Sequence, residues 1–596
     1  MSGVPERGEI ADEYKWDLES VYDTVEEWES TFERAEDAVA DLDVYEGRVT
    51  EDGETLLAFL EAYEDAARTV STLAAFARMR ADEDTRDQDA QALKSRGSAL
   101  SSRLAATTSF FEPAVQSLSR DELDGMVSST DGLGLYGHYL DDVFRMKPHT
   151  RSAEVEELIS ELGEVLGAPA DIYGMLTNAD LEFPTVEDPD GEDVTITQSN
   201  FTTLLKERDR AFRRTVHESF YDRLSEVRHA IGSSLSYSTK TDVKVARARD
   251  YETAREAALD GPKVPEEVYD NLVATVRENL DALQRHVDLK AEAIDVDELA
   301  MWDVYVPLTD GPEPEIDYED ACEYVVGAVE PLGADYQERV ASGLDSGWVD
   351  VYENKGKRTG AYSGGTYDTQ PFILLNYQRD LESVYTLAHE LGHSLHSQLS
   401  SENQPYVYNS YEIFVAEVAS TVNESLLTHY LLEHTDDEVL QAYALDQYLE
   451  RFRSTLFRQT LFADFEHTIH AMEEAGDPLT PDVLDGAYGD LKREFYANAS
   501  VDDRIAREWM RIPHFFYGYY VYQYSTGISA AVALSKRILE GEADAASDYV
   551  DFLTRGSREY PLELLRDAGV DMSTSAPIEA AIEVYRDTLD RAETVL

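Results

Sequence analysis

The stretch that decides the reading is DLESVYTLAHELGHSLHSQLS, Asp380 to Ser400. Leu381, Val384, Leu387, Ala388, Leu391 and Leu395 recur at three and four residues, the period of a helix with one buried stripe, and Asp380 is placed to cap its start. Inside it lies His389-Glu390-Leu391-Gly392-His393. Histidines at i and i+4 stack on one helix face, close enough for both imidazoles to reach a single zinc ion at about 2.0–2.1 Å. Glu390, rotated by about 100° from His389, stands beside that ion and can take a proton from water there. The pattern should arise by chance about 0.03 times in a chain with this His and Glu content. Two ordinary surface histidines are the plain alternative.

A catalytic tetrahedral site needs a third protein ligand and one open position. His396 is nearest, but His396 and Leu399 occupy the places where a metzincin has its Gly turn and its third His. The other solution is a carboxylate on a second helix. EIFVAEVASTVNESLL, Glu412 to Leu427, has helical period after a break at Asn403-Gln404-Pro405. Glu417 sits there among Val415, Ala416, Val418 and Ala419, where an unpaired carboxylate is costly and a metal or an Arg would resolve the cost. Glu424, two turns on, can orient a ligand histidine or stand solvated. His467 and His470 in FEHTIH share a helix face without an evident third ligand and are read as structural.

Around this core the 596-residue chain carries 51 basic and 121 acidic side chains, a net charge of −70, with 12 Lys against 39 Arg. Nucleic-acid and anionic-membrane partners are excluded, because both require excess positive charge. Disorder is excluded too, since 43% hydrophobic and 10% aromatic residues suffice for a large core. Acid-rich and Lys-poor together point to a halophilic protein, in which salt screens self-repulsion. A single cysteine, Cys322, rules out an intramolecular disulfide and fits a reducing cytoplasm, and Met1 to Glu13 has no apolar core like that of a signal peptide. Phe515 to Ser535 lacks charge but holds five tyrosines, so a tyrosine-lined wall is expected and not a membrane span.

Helical period also runs through Glu54 to Leu104, Ala153 to Leu176, Glu266 to Leu289 and Asp437 to Met472. Strand signals are few: Val194 to Thr197, Met301 to Leu308, and three short runs within Gly347 to Tyr377. The expected fold is mainly α with a small β-sheet near the zinc helix. Pro184 to Glu192, rich in Pro, Asp and Gly, marks a boundary between an N-terminal helical region, 1–190, and the rest, 191–596. No internal repeat or low-complexity tract is evident.

HELGH followed by Glu417 in FVAEVAS resembles the thimet-oligopeptidase-like zinc metallopeptidases, and within them the oligoendopeptidase F branch. YKWDLESVY (Tyr14 to Tyr22), WDVYVPL (Trp302 to Leu308), GAYSGGTYDTQPFILLNY (Gly360 to Tyr377) and RIPHFFYGYYVYQYSTG (Arg511 to Gly527) agree with that branch. The resemblance spans nearly the whole chain and is dense after about residue 300. It implies an elongated helical zincin-type enzyme whose zinc lies deep in a channel, with 1–190 covering the channel and 191–596 catalytic. One Zn2+ would be held by His389, His393 and Glu417, with Glu390 as general base. A tyrosine helped by a histidine would donate to the oxyanion; Tyr524 and Tyr520 with His514 match those positions, and Tyr517 is assigned to substrate binding. Tyr522 competes for the tyrosine role, and aromatic packing explains many of these rings equally well. Gly360, Ala361, Gly364 and Gly365 would bind substrate backbone along a strand edge, or simply form a hairpin turn.

The reading is therefore a cytoplasmic zinc endopeptidase of short peptides, with a monomer favoured over an oligomer. An exopeptidase using the same ligands and a non-catalytic helical peptide-binding protein are the alternatives.

Overall fold

The computed structural model describes residues 4–595, apart from the side chain of Ala153. Contacts divide the chain into two compact units, each drawn from three stretches: Met1–Thr150, Glu313–Glu433 and Arg537–Gly569 in the first, Arg151–Pro312, His434–Lys536 and Val570–Leu596 in the second. Helices dominate both. The strands are β1 (Thr185–Glu187), β2 (Asp193–Thr195), β3 (Leu299–Ala300), β4 (Val349–Asp350), β5 (Tyr362–Gly364), β6 (Phe372–Leu374) and β7 (Ala499–Ser500).

In the first unit the periodic stretch from Glu54 to Leu104 forms two helices, Gly53–Glu83 and Gln88–Thr108, which pack with Val25–Asp41. The break between the two falls where Asp87 turns its carboxylate to the Asp89 and Ala90 N–H groups and starts the second helix. Trp28, Phe59 and Leu73 are buried between them, and Phe372 and Leu374 of β6 join the same core. Those two residues tie the helices to a three-stranded sheet of order β4-β6-β5. β4 runs parallel to β6 and β5 antiparallel, with Ser363 opposite Ile373. The central strand is buried throughout and is accordingly an unbroken apolar run, whereas β5 is an edge strand. The three runs expected between Gly347 and Tyr377 are these strands.

The second unit holds the helices Arg228–Ala248, Glu266–Glu278, Leu280–Ala293, Glu438–Arg451, Arg458–Ala475 and Ala576–Val595. The six residues before Arg458, Phe452–Phe457, widen into a π-helical segment. Pro184 to Glu192 supplies β1 and the turn of an antiparallel hairpin, Thr185 opposite Thr195. Met301 to Leu308, expected to be a strand, is instead a turn following β3. Asp303 is fully buried there and accepts the Ala300 N–H at 3.0 Å and the Arg213 guanidinium at 2.7 Å, so the backbone curls around one carboxylate in place of pairing. The uncharged stretch Phe515 to Ser535 breaks into a short 3-10 turn, Pro513–Phe516, and the helix Tyr522–Leu539. Among the described residues no helix is long and apolar enough to cross a membrane.

Ten acidic side chains are buried among the described residues, set against 121 in the chain. The charge excess therefore lies outside the core.

Candidate metal centre

The helix Leu381–Asn403 begins where the Asp380 carboxylate accepts the Ser383 N–H at 2.8 Å. Its apolar stripe is buried as its period predicts, which leaves His389 and His393 half-buried on one face with Nε2 atoms 3.2 Å apart. The helix Ile413–His434 crosses that face. It is buried nearly all round, which explains why its sequence shows little amphipathic contrast. Its Glu417 Oε2 lies 3.5 Å from His389 Nε2 and 3.8 Å from His393 Nε2, and the Ser420 hydroxyl donates to the same oxygen at 3.1 Å.

Gly392 makes the crossing possible. A Cβ there would stand 2.6 Å from the Ala419 carbonyl oxygen and 2.6 Å from Ser420 Cα, both backbone atoms of the facing helix. One turn away the Asn423 amide donates to the Ala388 carbonyl at 3.1 Å and fixes the register.

The donor set fits a metal ion. Four ligands at 2.0–2.1 Å in a tetrahedron stand about 3.3 Å apart, and the three edges between His389, His393 and Glu417 are 3.2, 3.5 and 3.8 Å. This is the one such group among the described residues. Glu424, 2% exposed, lies 2.8 Å from His389 Nδ1. A carboxylate there accepts a hydrogen bond from Nδ1–H, which keeps the proton on that nitrogen and leaves the Nε2 lone pair facing the cluster. Burial pushes His393 down to about 4, so its ring is neutral and its Nε2 lone pair is available. Glu390 is 7% exposed, and burial raises its pKa, a shift opposed by His389 and by the Ser363 backbone.

His396, the alternative third ligand, is 1% exposed and stacks on Tyr411 with ring centroids 3.6 Å apart. It belongs to the apolar core, and burial pushes it down to about 3. His470 and His467 form no metal group either. His470 bonds the Glu466 carbonyl and Asp242, and His467 meets the Tyr519 hydroxyl.

Beside the cluster lies a cavity of about 680 Å3, lined by His393, Ser397, Tyr411, Arg78 and the segment from Ser363 to Tyr367. Gly364 and Gly365 face it, while Gly360 and Ala361 precede β5 and are not in its lining. Gly365 has φ +121°, and a Cβ would meet the Gln370 carbonyl at 2.8 Å, so only glycine fits there.

In the second unit His514, Tyr517, Tyr520 and Tyr524 form one aromatic cluster. The His514 ring is 6.2 Å from Tyr520 and 6.0 Å from Tyr524, and Tyr520 is 5.5 Å from Tyr524. Tyr517 is exposed at its rim. Tyr522 points elsewhere: 1% exposed and 5.3 Å from the Tyr269 ring, it is core.

Comparison with known proteins settles the family. Residues 203–584 match the model of peptidase family M3, and residues 115–183 match a model described as oligopeptidase F. The chain belongs to peptidase family M3. It is a metalloendopeptidase, as the sequence leads one to expect. Oligopeptidase PepF of Bacillus subtilis is 40% identical over 594 residues, covering 100% of this chain and 89% of that protein. The group B oligopeptidase PepB of Streptococcus agalactiae is 37% identical, covering 99% and 98%. The crystal structure of oligoendopeptidase-F from Enterococcus faecium superposes with a TM-score of 0.74 at 34% identity, over 96% of this chain and 99% of that one. The mainly helical fold with small sheets is thus shared with members of the family.

Three features of the site lack a sequence signal of their own: the cavity wall at Tyr411, the Ser420 hydroxyl on Glu417, and Arg78. A glycine inside an otherwise strong helical pattern was available as a sign of the close crossing at Gly392.

Proposed function

We propose that the chain is a zinc-dependent endopeptidase of short peptides, with one zinc ion held by His389, His393 and Glu417. The observation that carries this reading is the triangle of donor atoms whose edges match a tetrahedral ion, with Glu424 holding the outer nitrogen of His389. Zinc bound there would act as a Lewis acid toward the scissile carbonyl and lower the pKa of a bound water to about 7. Glu390 accepts the proton of the attacking water and delivers it to the leaving amine. Its burial and raised pKa suit a group that must hold a proton between two steps. Gly364, Gly365 and the outer strand β5 border the cavity where an extended peptide would lie, and main-chain recognition there favours broad sequence tolerance. Tyr524, with Tyr520 and His514, is assigned the oxyanion-donating role that the family resemblance implies, and Tyr517 a place in substrate binding. Their shared cluster is consistent with one functional group of rings.

A division of the sequence at residue 190 remains part of the proposal: the gap between the two family matches, 183 to 203, supports it, while the contact-based units divide the chain differently, at 150. A cytoplasmic, monomeric, salt-adapted enzyme completes the reading. The test is hydrolysis of internally quenched peptides blocked at both ends. Turnover should vanish with chelator, return with zinc at one ion per chain, and be absent in Glu390→Gln. Chelator-resistant turnover refutes the proposal.

A further inference from the structure

Arg78 projects from the first unit's long helix Gly53–Glu83 into the cavity that His393 lines. In a chain with 121 acidic groups, a guanidinium without a carboxylate is informative. Among the described residues Arg78 has no ion pair and no hydrogen bond; its recorded contact is with the Tyr362 ring, 5.3 Å from the guanidinium carbon. Tyr362 is itself fixed, its hydroxyl donating to Asp82 at 3.1 Å. This cation–π contact places the guanidinium beside the ring while leaving its N–H donors without a protein partner. Neighbouring arginines are consumed: Arg358 pairs with Asp82, and Arg68 with Asp368. Glu402, the carboxylate in the cavity lining, is taken by Arg339 at 2.9 Å.

The position is as telling as the missing partner. Arg78 Nη2 lies 3.3 Å from where a Cβ on Gly364 would stand, so the open donors sit against the edge strand β5. A peptide laid along that edge would pass the guanidinium. The remaining polar groups of the lining are hydroxyls and amides such as Ser363, Thr366, Ser397 and Gln398, which orient a ligand without neutralising a charge.

We propose that Arg78 is a carboxylate-binding residue of the substrate cavity, so that this enzyme selects peptides presenting a carboxylate there, from the free C-terminus or from an Asp or Glu side chain. This rests on the endopeptidase reading above. Charge-assisted, bidentate contact of this kind is geometrically selective, and at short range it survives salt that screens the repulsion between an anionic peptide and a protein of net charge −70.

The experiment uses four N-blocked peptides of one sequence: a C-terminal acid, its amide, the amide with one Glu along the chain, and the same with Gln. Values of kcat/KM are measured for the full-length enzyme and for Arg78→Gln and Arg78→Lys at one fixed salt concentration. Binding of fluorescent versions is measured on the Glu390→Gln background. Arg78→Gln should weaken the carboxylate peptide at least about 10-fold, leave its neutral partner within about 2-fold, and be partly recovered by Arg78→Lys, which keeps charge but loses the fork. The acid–amide pair and the Glu–Gln pair tell the two sources apart. Equal losses for acid and neutral peptides, or none, overturn the proposal while leaving the endopeptidase reading intact. Discrimination in binding without turnover by the unmodified enzyme would instead uphold Arg78 and refute that reading.

Discussion

Replacing Gly392 by alanine tests whether the metal centre depends on how closely two helices cross. The added Cβ would lie 2.6 Å from the Ala419 oxygen and from Ser420 Cα, against 3.4 Å for the near end of ordinary contact, an overlap of 0.8 Å. Both atoms are backbone, so no side-chain rotation relieves it and the helix Ile413–His434 must shift bodily. Metal–ligand distances tolerate about 0.2 Å, and Glu417 rides on the helix that moves while His389 and His393 stay on the other. Zinc affinity, measured by competition with a chromophoric chelator, should fall by about 10- to 100-fold, the range seen when ligand orientation is disturbed. The kcat/KM should fall by about 10²-fold, and stability to urea by about 1–3 kcal/mol from overpacking. Gly486 provides the control. It lies in the helix Pro481–Phe495 with open space where a Cβ would stand, nothing coming within 4 Å of that point, so Gly486→Ala should gain up to about 1 kcal/mol and leave zinc binding unchanged. A Gly392→Ala enzyme with unchanged zinc affinity and activity would refute the claim that the close crossing sets the ligand geometry.

Glu424→Ala should cost about 10- to 100-fold in zinc affinity, read by the same competition assay, because His389 loses the group that fixes its Nδ1 proton. Glu417→Ala should abolish stoichiometric zinc by metal analysis, whereas Glu390→Gln should keep the metal and lose turnover. On the acid side, His286 is wholly buried, and burial, then the Lys290 charge, push it down to about 3. Its unfolded value near 6.5 lies above that, so the unfolded chain binds more protons between about pH 6.5 and 3 and stability falls as pH drops through that window. Its share of the loss from pH 7 to 5 is about 2 kcal/mol, to be read as the difference in urea stability between the unmodified enzyme and His286→Gln at the two pH values. Finally, Tm should climb with molar KCl, given a net charge of −70 carried mainly outside the core; a flat or falling Tm contradicts salt adaptation.

Much of the site was legible from local spacing. The pair His389 and His393 and the flanking Glu390 follow from about 3.6 residues per turn within one helix, and no partner is needed to see them. The apolar neighbours of Glu417 likewise announce a carboxylate that must be satisfied. The same logic misread Met301 to Leu308, where a β-like run was overruled by the buried Asp303 and its Arg213 partner, 90 residues earlier in the chain. It also left Tyr522 competing with Tyr520 and Tyr524, until packing sent Tyr522 into the core and grouped Tyr517, Tyr520 and Tyr524 around His514.

By itself, then, the sequence determined the helical class, the acidic surface, the two-histidine motif and the reaction type those residues suit, because each depends on composition or on residues within a few turns of one another. Only the tertiary structure decided that Glu417 and not His396 meets the imidazoles, that Glu424 holds His389, and that Arg78 stands open against β5. Those outcomes depend on the angle and separation at which distant helices cross. That separation is set by steric contact between backbones, as at Gly392, and no local period encodes it.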